Sequence, residues 1–257
     1  MIRLDVYLVE KGFFRSRQQA KEAIVNGLVQ INQRTTLKSA TPVEEDAVNE
    51  ICISNPESVY VGRAGHKLAA ALEAFNVDVQ DKTCVDIGAS TGGFTDCLLK
   101  HGARKIFAID VGVNQMDPML AADSRVDLFE KTNARYLTMN QINNGENDLA
   151  VIDVSFISLE KILLPVKQQL KQHGIIICLI KPQFEVGAAR IGKKGIVKDP
   201  KFHQIAIEKI KNFAKSIDLA TIGLIPSPIL GGDGNAEFLI CLKKSSKLSN
   251  NINSLKN

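Results

Sequence analysis

The first 55 residues carry apolar positions in two helical and two strand-like patterns. In chain order these segments are RLDVYLVEK, SRQQAKEAIVN, LVQIN and AVNEICI. The first two have apolar residues at helical spacing, and the last two are short, apolar and bounded by turn residues. Gly27 follows the second helical segment, where a helix commonly ends. We predict a small α+β domain over residues 1–55, followed by an interdomain linker over residues 56–62 that begins at Pro56.

Strand-like and helical patterns alternate from residue 63 to residue 244. Apolar runs separated by helices or polar loops occur in the order TCVDIG, KIFAID, VDLFEK, DLAVID and GIIICLIK. Such runs, buried on both faces, indicate a mostly parallel sheet covered by helices. The last two runs, LATIGLIPS and AEFLICLKK, are too close for a helical crossover, so we expect the last strand to be antiparallel. The predicted fold class is α/β, a doubly wound sheet, and the polar tail 245–257 is expected to be disordered.

Composition excludes several classes of protein. Of the 257 residues, 45% are hydrophobic and 23% are charged, as in an ordinary globular chain. The five cysteines form no Cys-x-x-Cys pair and the four histidines have no metal-ligand spacing, so we expect neither a disulfide framework nor a metal site. No apolar run approaches the ~18 residues of a membrane span, and no signal-peptide pattern is present. We therefore expect a cytoplasmic protein.

The segment VDIGASTGGF indicates a ligand-binding strand–turn–helix. Asp86 lies near the end of the predicted strand, and Gly88, Gly92 and Gly93 surround a tight turn where a ligand can approach the backbone closely. Asp110 closes the next strand, where an acid can accept ribose hydroxyls. The spacing is neither Gly-x-Gly-x-x-Gly nor that of a phosphate-binding loop, and it resembles the S-adenosylmethionine-binding form of the doubly wound fold. A dinucleotide site or a purely structural glycine turn is the alternative.

Four charged residues are expected at one edge of the predicted sheet. Asp153 and Lys181 each end a parallel strand, and Glu237 begins the last strand, which reaches the same edge if that strand is antiparallel. Lys67 lies near the start of the helix before the first strand. Neighbouring ammonium groups lower the pKa of one of them, so a lysine here could accept a proton from a hydroxyl or hold the forming alkoxide. Alternatively, Lys67 and Glu237 are solvated surface residues.

Basic residues are segregated along the chain although the net charge is only +4. Residues 1–38 contain seven lysines and arginines but only three acidic residues. The loop 190–201 contains five lysines and arginines and one acidic residue. Such clusters suit RNA phosphates, although a single lysine is more often just solvated. The candidate RNA-binding residues are Arg3, Arg15, Arg17, Lys21, Arg63, Lys193, Lys194 and Lys198.

Several segments together resemble one family. In chain order they are VDIGASTGGFTDCLL, EKTNAR, DVSFISL, LIKPQFEVG, GIVKDP and GNAEFLI. They are similar to segments of the TlyA (haemolysin A) family, whose members are FtsJ-like ribosomal RNA 2'-O-methyltransferases with an N-terminal S4 domain. The resemblance covers nearly the whole chain and implies a Rossmann-like methyltransferase domain over residues 63–244 and an S4-like RNA-binding domain over residues 1–55. One departure is Arg63-Ala64-Gly65, where the family usually has Arg-Gly-Ala or Arg-Gly-Gly.

The resemblance also assigns roles to individual residues. The family's catalytic tetrad falls on Lys67 in GHKL, Asp153 in DVSF, Lys181 in IKPQF and Glu237 in GNAEF. Asp110 is implied at the ribose of S-adenosylmethionine and Asn133 near its adenine. The residues implied around its methionine part are Gly88, Ser90, Thr91, Gly92, Gly93 and Phe94.

The implied substrate is a cytidine ribose in ribosomal RNA, presented as free RNA or as a ribosomal subunit. The start of the chain at RLDVYL and its short tail resemble the shorter family members, which favours 23S rRNA as the target, with 16S rRNA also possible. DNA and membranes are not expected partners, and the oligomeric state is open. A non-catalytic RNA- or ribosome-binding protein and a haemolysin, as the family name suggests, are the alternatives.

Overall fold

The fold is described from a computed structural model. It describes residues 1–14, 16–25, 27–32, 34–36, 38–44, 48, 50–53, 60–192, 195–231 and 234–245. The chain divides into two compact units, Met1–His66 and Lys67–Asn257. The predicted boundary at residue 55 and most of the predicted linker lie outside the described residues, as does nearly all of the predicted tail.

The N-terminal unit has the predicted α+β composition. Its elements are β1 (Ile2–Arg3), α1 (Leu4–Glu10), α2 (Arg17–Val25), β2 (Val29–Ile31), β3 (Arg34–Thr35), β4 (Pro42–Val43) and β5 (Ile51–Ile53). Strand β1 pairs with β4, and β2 lies between β3 and β5, with all pairs antiparallel. The apolar faces of both helices meet in a core that includes Leu4, Leu8, Ile24 and Val29. The two predicted helices and two predicted strands are therefore confirmed.

The second unit is a seven-stranded sheet with helices between its strands. Its strands are β6 (Thr83–Ile87), β7 (Lys105–Ile109), β8 (Val126–Phe129), β9 (Asn147–Ile152), β10 (Leu170–Ile180), β11 (Leu219–Pro226) and β12 (Phe238–Lys244). The strand order is β11-β12-β10-β9-β6-β7-β8. The five strands from β10 to β8 are parallel, whereas β12 runs antiparallel to both of its neighbours. This confirms the predicted α/β doubly wound sheet with an antiparallel last strand.

The helices of the second unit vary widely in length. They are α3 (Arg63–Ala74), α4 (Gly93–Lys100), α5 (Pro118–Ala121), α6 (Leu163–Lys167), α7 (Pro182–Glu185) and α8 (Pro200–Ser216), with α3 beginning just before the unit boundary. Helix α8 packs Ala206, Ile207 and Ile210 into the main core, where β10 contributes Ile176 and Cys178. Strand β10 begins four residues before the predicted apolar run, so the helix predicted between β9 and β10 is confined to the short α6 and the 3-10 turn before it.

Candidate functional site

Lys67 and Glu237 form a buried ion pair. Lys67 Nζ donates a 2.5 Å hydrogen bond to Glu237 Oε2, and the two side chains are 9% and 3% exposed. Strand β12 begins at Phe238, which lies opposite Ile180 in the antiparallel ladder with β10. Glu237 therefore leaves the sheet beside Lys181, at the carboxyl edge of the parallel strands. The alternative that Lys67 and Glu237 are solvated surface residues is wrong.

Lys181 and Asp153 form a second ion pair at the same edge. Lys181 Nζ lies 2.6 Å from Asp153 Oδ1 and donates a 2.9 Å hydrogen bond to Ser155 Oγ. Lys181 and Asp153 are therefore joined by a close charge–charge contact. Asp153 follows β9 and Lys181 follows β10, and these parallel neighbours pair Ile152 with Cys178. The parallel register thus brings the two side chains together, as predicted.

A cavity of about 490 Å³ opens at this edge beside Asp153. This volume is within the usual range for a small-molecule site. Its charged lining residues are Asp110, Asp153 and Arg135, which leaves a net negative charge. Asp110 receives the backbone N–H of Ser90 at 2.8 Å and that of Gly112 at 2.7 Å, so its carboxylate is fixed at the rim of the turn.

The predicted cofactor residues fall into two groups. Gly88, Ser90, Asp110 and Asn133 line the cavity. The residues predicted at the site that do not line the cavity are Asp86, Thr91, Gly92, Gly93 and Phe94. Gly88 has φ +82°, and a Cβ there would lie 2.6 Å from the carbonyl oxygen of Asp153. Only glycine allows the turn to pass this close to the end of β9.

Asp86 lies beneath the turn and is fully buried. Its Oδ2 accepts a 2.7 Å hydrogen bond from Thr95 Oγ1, whereas its Oδ1 has no hydrogen-bond partner among the residues that the structure describes. Burial raises the pKa of Asp86 to about 7 against the effect of the Thr95 hydrogen bond, and the charges of Asp153 and Asp110 raise it further. A buried carboxylate with an unpaired oxygen favours a cation nearby.

Sequence patterns did not identify the most unusual residue of the cavity wall. Phe156 is 91% exposed and has φ +63°, a left-handed conformation that is rare for a bulky residue. Its ring lies 5.2 Å from that of Phe184, which follows Lys181 by three residues. The wall also contains four polar side chains that were not predicted, which are Gln115, Thr132, Arg135 and Ser155. Thr132, Arg135 and Ser155 lie within the segments EKTNAR and DVSFISL that carry the family resemblance, but in these segments it assigned roles only to Asn133 and Asp153.

Two of the predicted RNA-binding residues of the N-terminal unit, Arg3 and Arg17, share one buried acid. Asp5 receives hydrogen bonds from Arg3 at 2.9 Å and from Arg17 at 3.1 Å. The hydrogen bond from Arg3 lowers the pKa of Asp5 against the effect of burial, and Arg17 lowers it further. Both guanidinium side chains stay more than half exposed, as RNA contact requires. Lys21 is also exposed and Arg63 is half-buried, while Arg15 lies outside the described residues.

The basic loop 190–201 is held by polar side chains from the segment before β12 and from helix α8. Asn235 accepts the N–H of Val197 at 2.9 Å and donates to the carbonyl of Gly195 at 3.0 Å. His203 Nε2 lies 2.7 Å from the carbonyl oxygen of Val197. The predicted Lys198 is exposed next to this anchor. The predicted Lys193 and Lys194 lie outside the described residues.

The described residues include neither a metal-binding cluster nor a membrane-spanning helix. No group of three or more histidine, cysteine or acidic side chains within the described part of the chain is placed to hold a metal ion. Among the same residues, no helix combines the length and the apolar character needed to cross a bilayer.

Comparison with known families gives two matches. The model of FtsJ-like methyltransferases matches residues 60–244, and the model of the S4 domain matches residues 2–49. The chain is 40% identical over 241 residues to the 16S/23S rRNA (cytidine-2'-O)-methyltransferase TlyA of Mycobacterium tuberculosis, covering 94% of this chain and 89% of the relative. It is 41% identical over 242 residues to Hemolysin A of Brachyspira hyodysenteriae, covering 93% and 98%.

A solved structure agrees with these matches. A Streptococcus thermophilus protein that is 40% identical superimposes with a TM-score of 0.72, over 95% of this chain and 88% of that one. Both domains and their order are thus shared with the relatives. The chain belongs to the FtsJ-like methyltransferase family and, within it, to the S4-domain-containing TlyA (haemolysin A) proteins.

Proposed function

We propose that this chain transfers a methyl group from S-adenosylmethionine to the ribose 2'-hydroxyl of a cytidine in ribosomal RNA. The observation that carries the proposal is the presence of two lysine–carboxylate pairs at the carboxyl edge of the sheet, the buried pair Lys67–Glu237 and the largely buried pair Lys181–Asp153. Asp153 belongs to one of these pairs and also lines the cavity. The residues proposed to act on the acceptor hydroxyl are therefore adjacent to the proposed cofactor pocket.

The residues of the cavity fit S-adenosylmethionine. Its volume suits a nucleoside-sized ligand, and its net negative lining, with Asp86 behind the turn, suits a cation. Asp110 would accept the ribose hydroxyls, Asn133 would lie near the adenine, and Gly88 and Ser90 would lie along the methionine part. When bound, S-adenosylmethionine supplies a methyl group on an electrophilic sulfonium.

The two lysines would handle the acceptor hydroxyl and its proton. Asp153 and Ser155 fix Lys181 Nζ, so its remaining hydrogen-bonding position can be directed at the hydroxyl oxygen. Lys181 Nζ would be placed to take the hydroxyl proton as the oxygen bonds to the methyl group, which the bound cofactor would give up with the C–S electron pair retained on its sulfur. Lys67, held by Glu237, would stabilise the charge that develops on the oxygen. Positioning is the main contribution to such an in-line transfer.

Three features support RNA as the acceptor. The exposed guanidinium groups of Arg3 and Arg17 lie on a domain that matches the S4 model. The exposed ring of Phe156, on the wall of the cavity, offers a surface on which an unstacked base can stack. The choice of cytidine and of ribosomal RNA rests on the activity named for the Mycobacterium tuberculosis relative. Such a substrate implies a cytoplasmic site of action.

The direct test is transfer of labelled methyl from S-adenosylmethionine to ribosomal subunits and to free 23S and 16S rRNA. Lys181→Ala and Asp153→Ala should reduce transfer by roughly a hundredfold or more. The control Lys211→Ala removes an exposed lysine paired with Glu208 on α8 and should leave transfer unchanged.

Mapping of the methylated riboses distinguishes the two target RNAs, of which we favour 23S rRNA. Wild-type transfer by both site variants would contradict the proposed site. RNA binding without any cofactor binding in calorimetry would favour the non-catalytic alternative.

A further inference from the structure

Glu185, at the end of α7, connects two loops of the proposed active site. Its side chain is 1% exposed and accepts three hydrogen bonds from outside its own helix. Oε1 accepts the backbone N–H of Leu159 at 2.8 Å, and Oε2 accepts Ser158 Oγ at 2.6 Å and Lys209 Nζ at 2.9 Å. One carboxylate thus joins the segment after β9, the segment after β10 and helix α8.

Lys209 supplies the positive charge that makes this burial tolerable. Its Nζ also reaches Glu160 Oε2 at 3.1 Å, Ser158 Oγ at 3.2 Å and the carbonyl oxygen of Glu185 at 3.2 Å. Burial would lower the pKa of Lys209, but the hydrogen bonds and charges of Glu185 and Glu160 outweigh it and raise that pKa. The ammonium is therefore charged and nearly saturated with acceptors, which leaves it little capacity for a substrate.

The loop between Asp153 and Ser158 is fastened to the α7 segment at two points. Near its start, Lys181 binds Asp153 and Ser155; at its end, Glu185 binds Ser158 and the following N–H. Lys181 immediately precedes α7 and Glu185 is the last residue of α7, so the two contacts bracket one helical turn.

Phe156 lies between these two points of attachment. Its left-handed backbone conformation costs on the order of 1–3 kcal/mol and persists only when the surroundings fix it. The two attachments to α7 are the contacts that can fix it.

We propose that Glu185 is a positioning residue for methyl transfer. By holding Ser158 and Leu159 it fixes the loop that presents Asp153 to Lys181 and the ring of Phe156 to the cavity. The inference rests on the proposed function, because it assigns Glu185 a role in that reaction. It adds a residue that neither lines the cavity nor belongs to either of the two lysine–carboxylate pairs.

The competing explanation is that Glu185 and Lys209 only stabilise the fold. A buried charge that loses its partner does destabilise a protein, so a loss of total activity would not separate the two explanations. They differ in the activity of the molecules that remain folded. A positioning role predicts a lower kcat for each folded enzyme, whereas a purely structural role predicts fewer folded enzymes with normal kcat.

The experiment compares three variants of the full chain. Glu185→Gln keeps the shape of the side chain but presents an amide to Lys209. Ser158→Ala leaves the buried charge pair intact and removes the hydroxyl that binds Oε2, Lys209 Nζ and the N–H of Glu160. The matched control is Glu208→Gln, which breaks the exposed pair with Lys211 on the same helix as Lys209. Titration with S-adenosylhomocysteine counts folded binding sites, and methyl transfer to ribosomal subunits gives kcat per site and the KM for RNA.

We expect Glu185→Gln to lower kcat per site by roughly tenfold to a hundredfold, and Ser158→Ala to lower it less. The affinity for S-adenosylhomocysteine should fall less than kcat per site, because Asp110 is held by the backbone N–H groups of Ser90 and Gly112 and not by this loop. Glu208→Gln should match the wild type. Wild-type kcat per site in both Glu185→Gln and Ser158→Ala would overturn the positioning role and leave the proposed function intact. Absence of transfer by the wild-type chain would overturn both.

Discussion

Glu237 and Lys67 form a 2.5 Å hydrogen bond although 170 residues separate them in the sequence. The pair joins the helix that precedes the first strand of the large sheet to the residue that precedes its last strand. Its geometry therefore depends on the complete sheet.

Removing either member of this pair should destabilise the protein and reduce transfer. Lys67→Met and Glu237→Gln should each lower the free energy of unfolding by about 3–5 kcal/mol, because each leaves a buried group unpaired. The double variant should recover part of the stability, since no charge is left unpaired, but none of the transfer. Denaturant unfolding and labelled methyl transfer measure the two effects.

An exposed pair provides the control for this prediction. Lys105→Met with Asp127→Asn removes an ion pair on the neighbouring strands β7 and β8, where both side chains contact solvent. It should cost less than about 1 kcal/mol. Transfer at the wild-type rate by the Lys67→Met/Glu237→Gln double variant would show that the pair has no catalytic role.

Asp86 should make cofactor binding depend on pH. Its pKa of about 7 means that it is largely protonated below neutrality, and a cation in the adjacent pocket would favour its ionised form. The affinity for S-adenosylmethionine should therefore rise between about pH 5.5 and 7 and level off above, with a proton released on binding. Calorimetry in buffers of different ionisation enthalpy measures that release.

Replacement of Asp86 tests the assignment. Asp86→Asn keeps an oxygen for Thr95 and should abolish the proton release. It should also remove a pH-dependent change in the free energy of unfolding. Because the pKa of Asp86 is raised in the folded state, its contribution to stability is present at low pH and is lost as pH rises through about 7. An affinity in the wild type that is constant over this range would contradict the prediction.

At Phe156 the usual order of stability of glycine and alanine variants should be reversed. Because its φ is +63°, Phe156→Gly should be more stable than Phe156→Ala by about 1 kcal/mol, although glycine is normally the less stable choice. Both variants should bind S-adenosylhomocysteine normally and raise the KM for RNA, since the ring is lost. Thermal unfolding and steady-state kinetics test the two parts separately.

Phe184 is the matched position for this comparison. It packs against Phe156 but lies within α7, so there the alanine variant should be the more stable one. An unchanged KM in both Phe156 variants would remove the ring from the substrate site.

Arg3 and Arg17 should contribute separately to the salt dependence of RNA binding. If each contacts one phosphate, Arg3→Gln and Arg17→Gln should each reduce the slope of log K against log salt by about 0.7–0.9. Asp5→Asn should loosen both guanidinium groups and weaken binding without removing a positive charge. A slope unchanged by both arginine substitutions would mean that the S4 unit binds RNA elsewhere.

Most of the fold could be predicted because its signals are local. Parallel strands buried on both faces have continuous apolar sequences, and the short connection before β12 requires an antiparallel pair. These two facts were sufficient to bring Asp153, Lys181 and Glu237 to one edge. The limits of β10 were less predictable, because its first four residues include polar and charged side chains that give no strand pattern.

The supporting contacts could not be predicted in the same way. Glu185 and Asn235 bind the backbones of segments more than 20 residues away, and no spacing reports such a contact. Asp86 lies on a strand whose five residues are all buried, so alternation gave no indication of which face it occupies. The left-handed conformation of Phe156 is fixed by the tertiary structure against the preference of the residue.

The interior position of β12 has a consequence for synthesis of the chain. This last strand fills the gap between β10 and β11, so a nascent chain that ends before Glu237 has unpaired strand edges on β10 and β11 and lacks the carboxylate that pairs with Lys67. Unpaired edges are sites of aggregation. Closure of the sheet must await the last strand, and only then does the molecule acquire the charge pair that its proposed chemistry requires.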